Sequence, residues 1–236
     1  MTVKILSLYP DLMNLYGSNG NLRCLKKHIE AIGFETEIVE HISDQTPDFS
    51  DIDFVYIGAG TERSRDRALR YLLGFKNEFL DYVEKGGVCL FCGNSFELLG
   101  KSISKNVGET QECLSLFKFE TFMEERRSVV DTVCTCPFLE KEIIGFMNKQ
   151  SYSSIVTTPL FRVLKGMGNA KDRNDEGAFY KNLFATSLAG PILVRNPHFR
   201  EFIEKKIYEN KKVEAIPKSF ENELEAYERS LNGLTK

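Results

Sequence analysis

The 236-residue chain is 42% hydrophobic and 28% charged, the balance of a folded soluble protein rather than a disordered one. Its 31 Lys and Arg face 34 Asp and Glu, a net charge of −3, so there is no electrostatic footprint for nucleic acid or an anionic membrane. The longest largely apolar run, FATSLAGPILV at 184–194, contains Gly and Pro and is too short to span a bilayer. No signal-peptide core follows MTVKI, so membrane insertion is not expected and the expected location is the cytoplasm.

In chain order, VKILSLYP (3–10) reads as a buried strand ended by Pro10. GSNGN at 17–21 is a turn, with Asn21 placed to cap a helix in which Leu22, Leu25, Ile29 and Ile32 recur at helical spacing and Gly33 is the stop. FETEIVEHI alternates as a strand, and DFVYIGAG (53–60) is an apolar strand ending in a Gly-rich turn. RDRALRYLLGFKNEFLDYVEKGG reads as one amphipathic helix closed by Gly86 and Gly87; VCLFC is the next apolar strand, and a helix follows Cys92. Strands alternating with amphipathic helices specify an α/β fold, a parallel-rich sheet with helices on both faces. Functional loops of such a sheet lie at the carboxyl ends of its strands, here Tyr9–Gly20, Gly58–Gly60 and Cys92–Asn94. The second half reads as shorter strands in an antiparallel β portion, then a Gly-Pro turn and a last amphipathic helix. One domain is expected over 1–236, with 211–236 a charged peripheral tail.

The six cysteines are Cys24, Cys89, Cys92, Cys113, Cys134 and Cys136. His28, His41 and His198 lie near none of them in sequence, so the spacing of a metal site is missing, and no cofactor is implied. Buried thiols acting as small hydrophobes account for most of these cysteines. Cys92 differs because it ends a strand, precedes Gly93 and leads into a helical stretch. A strand–turn–helix elbow exposes a nucleophile, the helix start favours thiolate, and the N–H after the nucleophile, here of Gly93, is an oxyanion donor. A second donor is available from Gly58, Ala59 or Gly60.

LYPDLMNLYGSNGN (8–21), YIGAG, the elbow CGNSFELLG and LAGPILVRNP (188–197) occur in this order. Together they resemble the class I, triad-type glutamine amidotransferases of the cobyric acid synthase-like group. Within it the chain is most similar to the GatD-type glutaminase subunits of lipid II isoglutaminyl synthases. The resemblance spans nearly the whole chain and implies a flavodoxin-like fold and glutamine as ligand. It also implies a Mur-ligase-like (MurT-type) partner that uses the released ammonia to amidate a peptidoglycan precursor. Carried over by position, Cys92 is the nucleophile, Gly93 and one residue of Gly58–Gly60 are the oxyanion donors, and Arg127, Arg126 and Asn94 are substrate-binding candidates.

The same resemblance exposes departures. The family's catalytic histidine, in a stretch like TYLHGPLLPKNP, falls on Ala189 of TSLAGPILVRNP, which cannot accept a proton; positioned acid–base catalysis is worth roughly 10²–10⁴-fold. The second glycine and the glutamine of CGGYQLLG correspond to Asn94 and Glu97, the tyrosine before the histidine to Ser187, and GFENH reads GFMNK, with Met147 and Lys149. Three readings remain: a glutaminase subunit whose base comes from His198 or from a partner; a catalytically inactive pseudo-amidotransferase acting as a binding or regulatory subunit; and other chemistry at Cys92, as in the DJ-1-like cysteine hydrolases and redox proteins that share this elbow, for which Asp11 is the local acidic candidate.

Overall fold

The computed structural model describes residues 1–106 and 108–235. From the N-terminus, β1 (Thr2–Leu8), α1 (Gly20–Ala31), β2 (Glu35–His41), β3 (Phe54–Ile57), α2 (Glu62–Gly74), α3 (Lys76–Glu84) and β4 (Val88–Cys92) lead into a 3-10 helix, Gly93–Leu99. Next come β5 (Ser102–Asn106), β6 (Glu109–Glu112), β7 (Glu120–Thr135), β8 (Ile143–Ser153), β9 (Phe161–Lys165) and β10 (Asp175–Glu176). The chain continues through β11 (Ala178–Tyr180), β12 (Leu183–Thr186), β13 (Leu188–Ala189), α4 (Ile192–Arg195), α5 (Pro197–Asn210) and α6 (Glu221–Thr235).

The apolar strands form a six-stranded sheet in the order β11-β12-β4-β3-β1-β2, parallel throughout except for β11 at one edge. Its two faces follow the period of two along each strand. Leu6, Leu8, Val55, Ile57, Cys89 and Phe91 enter one apolar layer with Leu69 and Leu72 of α2 and Phe79 of α3. Val3, Ile5, Phe54, Tyr56, Leu90 and Cys92 enter the other with Leu25 of α1 and Ile203 of α5. The second sheet holds β5 to β10 and β13; its pairings are antiparallel apart from β5 with β7. No helix among the described residues is long and apolar enough to cross a membrane.

Three local expectations change. The long helix after Gly60 is two helices, broken at Phe75, whose φ of −130° leaves the helical region and whose side chain is fully buried. Asn21 does not cap α1; it lies inside the helix, fully buried, its amide donating to the Tyr56 hydroxyl at 2.8 Å and accepting from Leu193 N–H at 2.8 Å. The expected helix after Cys92 is a seven-residue 3-10 helix, too short for the macrodipole expected to lower a thiol pKa.

The C-terminal segment is anchored. Tyr227 of α6 is buried against Val133 and Ile144 of the β7–β8 hairpin, and its hydroxyl donates to the Glu142 carbonyl. His28 of α1 contacts the Lys218 carbonyl at 2.8 Å and Glu223 at 2.7 Å, and Arg200 reaches Ser219 at 2.7 Å and Glu204 at 2.8 Å. Burial outweighs Arg200 and raises the Glu204 carboxyl from 4.5 to about 7. A raised carboxyl pKa means the folded chain holds this proton more tightly than the unfolded one. This contribution to stability is therefore fully present below pH 4.5 and lost as pH rises through about 7, on the order of 3 kcal/mol. Glu204→Gln is expected to flatten that slope in urea denaturation measured from pH 4.5 to 8.

Candidate functional site

A cavity of about 190 Å³ opens beyond the carboxyl ends of β3 and β4, where an open α/β sheet places its ligands. Its lining combines the buried Ala59, Gly93, Glu97, Lys149, Ser151 and Ala189 with the less buried Leu15, Tyr16, Met123, Glu62, Arg127, Asn148 and Gln150. The sharp bend after β4 falls on Gly93, in the left-handed region at φ +66°, whereas Cys92 is ordinary extended strand at φ −122°, ψ 144°. A β-carbon built on Gly93 would lie 2.6 Å from the Ala59 β-carbon and 3.9 Å from that of Ala189. The bend is thus walled by two methyl groups, and Gly93 serves there both for its backbone conformation and for its missing side chain.

Several polar groups of this lining are paired with one another. Asn94 accepts from Gly60 N–H at 2.9 Å and donates to the Gly60 carbonyl at 2.8 Å. Ser18 Oγ accepts from Ala59 N–H at 3.1 Å. In the floor, Glu97 pairs with Arg65 through one oxygen and accepts from Ser151 Oγ through the other, with all three residues buried. Lys149 is buried below them, donating to the Gly168 and Asn169 carbonyls at 2.9 and 3.1 Å, and burial lowers its pKa. Arg127 lies where the β7–β8 ladder breaks between Met123 and Ser128. It reaches across the mouth to Glu62 in the first turn of α2 and to the Asn148 side chain.

The CobB/CobQ-like glutamine amidotransferase domain matches residues 4–197. This chain belongs to that family. It is 30% identical over 217 residues to the lipid II isoglutaminyl synthase (glutamine-hydrolyzing) subunit GatD of Staphylococcus aureus, covering 91% of this chain and 88% of that one. The Streptococcus pneumoniae subunit of the same name is 30% identical over 199 residues, covering 82% and 76%. A probable cobyric acid synthase of Methanococcus maripaludis is 25% identical over 174 residues, and the match spans 34% of that protein. A crystal structure of a glutamine amidotransferase superposes with a TM-score of 0.57 at 14% identity, covering 86% of this chain and 98% of that one. A glutamine amidotransferase from Thermotoga maritima gives 0.52 at 10% identity, covering 99% and 94%.

Among the predicted site residues of this amidotransferase-family chain, the cavity brings together Ala59, Gly60, Gly93, Asn94, Arg127 and Ala189. Cys92, Gly58 and Arg126 are not in its lining. The expectation of an exposed sulfur at the bend does not hold. Cys92 is 0% exposed and packs with Tyr56 and Leu90 in the layer beneath the sheet. Burial, reinforced by the Glu176 charge and only partly offset by the Tyr56 hydroxyl, pushes its thiol far above the ordinary range. That is the environment of an inert structural thiol. Gly58 packs against Met13 and Ser18, and Arg126 is exposed on β7. None of the histidines lines the cavity: His198 faces Tyr227 of α6 at 4.9 Å, His28 holds the C-terminal segment, and His41 packs on Tyr9 and Phe75.

Sequence reasoning placed the elbow one residue early. In CGGYQLLG the glutamine stands four residues after the cysteine. Counting back from Leu98-Leu99-Gly100 puts Glu97 on that glutamine and Gly93, not Cys92, on the cysteine. The signal was present in the spacing, but a cysteine one position away concealed it. Arg65 and Ser151, which fix Glu97, were missed because they come from α2 and β8, distant in sequence.

Proposed function

We propose that this chain is a glutamine amidotransferase-fold subunit without the hydrolytic step, a single domain that acts by binding or regulation beside a partner protein in the cytoplasm. The observation that carries this reading is the contact at the bend. Gly93, on the family's nucleophile position, faces Ala189, on the position of its histidine, and neither has a side chain that can attack or carry a proton. Two further features support it. The Gly60 N–H, a candidate oxyanion donor, is occupied by Asn94, and that of Ala59 by Ser18. A working glutaminase that borrowed its base from a partner would still need a sulfur in the cavity, and Cys92 packs beneath the sheet.

The partner class follows from the GatD relatives, which are named as subunits of a lipid II isoglutaminyl synthase. The reading is of a Mur-ligase-like protein acting on a peptidoglycan precursor. The test is ammonia release from glutamine by the chain alone and together with such a partner. None above background is expected, with no change in Cys92→Ser, and a thiol reagent should label Cys92 only after unfolding. Ammonia formation that disappears in Cys92→Ser would overturn the reading.

A further inference from the structure

The match to the family domain ends at residue 197, and the chain beyond it touches both layers of the fold. Ile203 and Ile207 of α5 pack beneath the first sheet, residues 218–220 lie on α1 against Lys27 and His28, and α6 covers Val133 and Ile144 of the β7–β8 hairpin. We propose that residues 211–235 are a proton-operated strap. It is fastened while the His28–Glu223 contact holds one proton more than a neutral imidazole and a carboxylate carry, and it is released when that proton is lost.

Both ring nitrogens of His28 face oxygens of acceptor groups. Nδ1 lies 2.8 Å from the Lys218 carbonyl, and Nε2 lies 2.7 Å from the Glu223 carboxylate. A carbonyl brings no hydrogen, so Nδ1 donates. A neutral imidazole has then used its one N–H, and it turns a lone pair toward a carboxylate at a distance where two acceptors repel. The second bond exists only with one more proton between the two groups, on the ring or on the carboxyl. His28 is 1% exposed, so when that proton leaves, water cannot replace the lost partner while the strap stays in place.

The charged and titratable groups around this contact come from three helices. α1 brings Lys27, whose Nζ is 5.0 Å from the centre of the Phe220 ring, itself 4.9 Å from His28. It also brings Cys24, whose thiol burial pushes up to about 11. α5 brings Arg200, which donates to Ser219 Oγ at 2.7 Å and to the Lys218 carbonyl at 3.3 Å and lies 3.6 Å from Glu223. Glu204 accepts from Arg200, Glu201 accepts from Ser219, and burial raises the Tyr208 hydroxyl. From α6, Glu223 meets His28 with one oxygen and accepts from Phe220 N–H at 3.3 Å with the other. Arg200 opposes a second positive charge at His28, and Glu204 and Glu223 favour it. The bonds Arg200 makes to the strap keep their hydrogens throughout the neutral range, and the His28–Glu223 bond does not.

The test is amide hydrogen exchange of the full chain at about pH 5.5 and about pH 8.5, which bracket the ordinary titration of an imidazole. It is read as protection factors, so that the intrinsic pH dependence of exchange is removed. Protection of residues 221–235 should fall at least about tenfold at the higher pH, the loss expected when a bond to a charged group is given up, while β1, β3 and β4 stay protected. Glu223→Gln should stay fastened at both pH values, because its amide can donate to the bare Nε2 of a neutral imidazole while its oxygen still accepts from Phe220 N–H. His28→Ala should be loose at both. Glu204 titrates in the same range, so the fall should persist in Glu204→Gln. Protection that does not change with pH, a fall that remains in Glu223→Gln or vanishes in Glu204→Gln, or full protection in His28→Ala would each overturn the inference.

Discussion

Gly93→Ala is expected to destabilise the protein by about 2–5 kcal/mol, and Ala59→Gly in the same chain to restore the steric part of that loss. Two costs add. A β-carbon in the left-handed region costs roughly 1–2 kcal/mol, and at 2.6 Å from the Ala59 β-carbon it overpacks a buried site, worth about 1–3 kcal/mol more. Only the second cost depends on Ala59. Urea denaturation of the two single variants and the double variant should therefore give a coupling energy of about 1–3 kcal/mol. Additive effects would show that the two methyl positions do not compete for one volume. The same pair limits any attempt to place a thiol at position 93, since its β-carbon meets Ala59 first.

Arg65→Met is the second change with a large expected effect, about 3–5 kcal/mol. Arg65 is 1% exposed and Glu97 4%; without the guanidinium, Glu97 keeps only the Ser151 hydroxyl as a hydrogen-bond partner, with the buried Lys149 ammonium as the remaining charge that acts on it. A buried carboxylate that loses its hydrogen-bonded counter-charge keeps its desolvation penalty with much less Coulombic compensation. Replacing both residues removes both charges, so Arg65→Met with Glu97→Met should recover most of the loss. Thermal or urea unfolding of the three variants checks this. A double variant as unstable as Arg65→Met would show that shape rather than charge holds this floor.

The fold was legible because its signals are local. VKILSL, DFVYI and VCLFC are apolar runs of strand length, separated by amphipathic helices, and that alternation allows few arrangements other than a parallel sheet with both faces covered. Misreadings occurred where tertiary packing overrides local preference. Phe75 breaks a helix that propensity alone would continue, because its ring is wanted in the core with Phe79 and Leu72. Asn21, an ordinary capping residue by type, turns inward because Tyr56 and Leu193 offer its amide buried partners.

The candidate site divides along the same line. Ala189 could be singled out from the Gly-Pro and Asn-Pro pairs that flank it, and the structure places it in the cavity lining beside Gly93. Cys92 was misread because a cysteine before a glycine has the composition of a nucleophilic elbow whichever residue makes the turn. The two possibilities differ only in which residue carries positive φ. That is a backbone property, set by how β4 ends against β3 and β12.

By itself, the sequence determined the α/β class and the family, since each is carried by local periodicity or by short motifs in fixed order. Only the tertiary structure decided that the bend belongs to Gly93, that Cys92 lies in the packed layer beneath the sheet, and that the Ala59 and Ala189 methyl groups flank Gly93. It also decided that Asn94 and Ser18 bond the Gly60 and Ala59 N–H groups. These are facts about which atoms share one small volume, and residues brought there from the loops after β1 and β3, from the 3-10 helix after β4 and from β13 carry no mark of that meeting in their order along the chain.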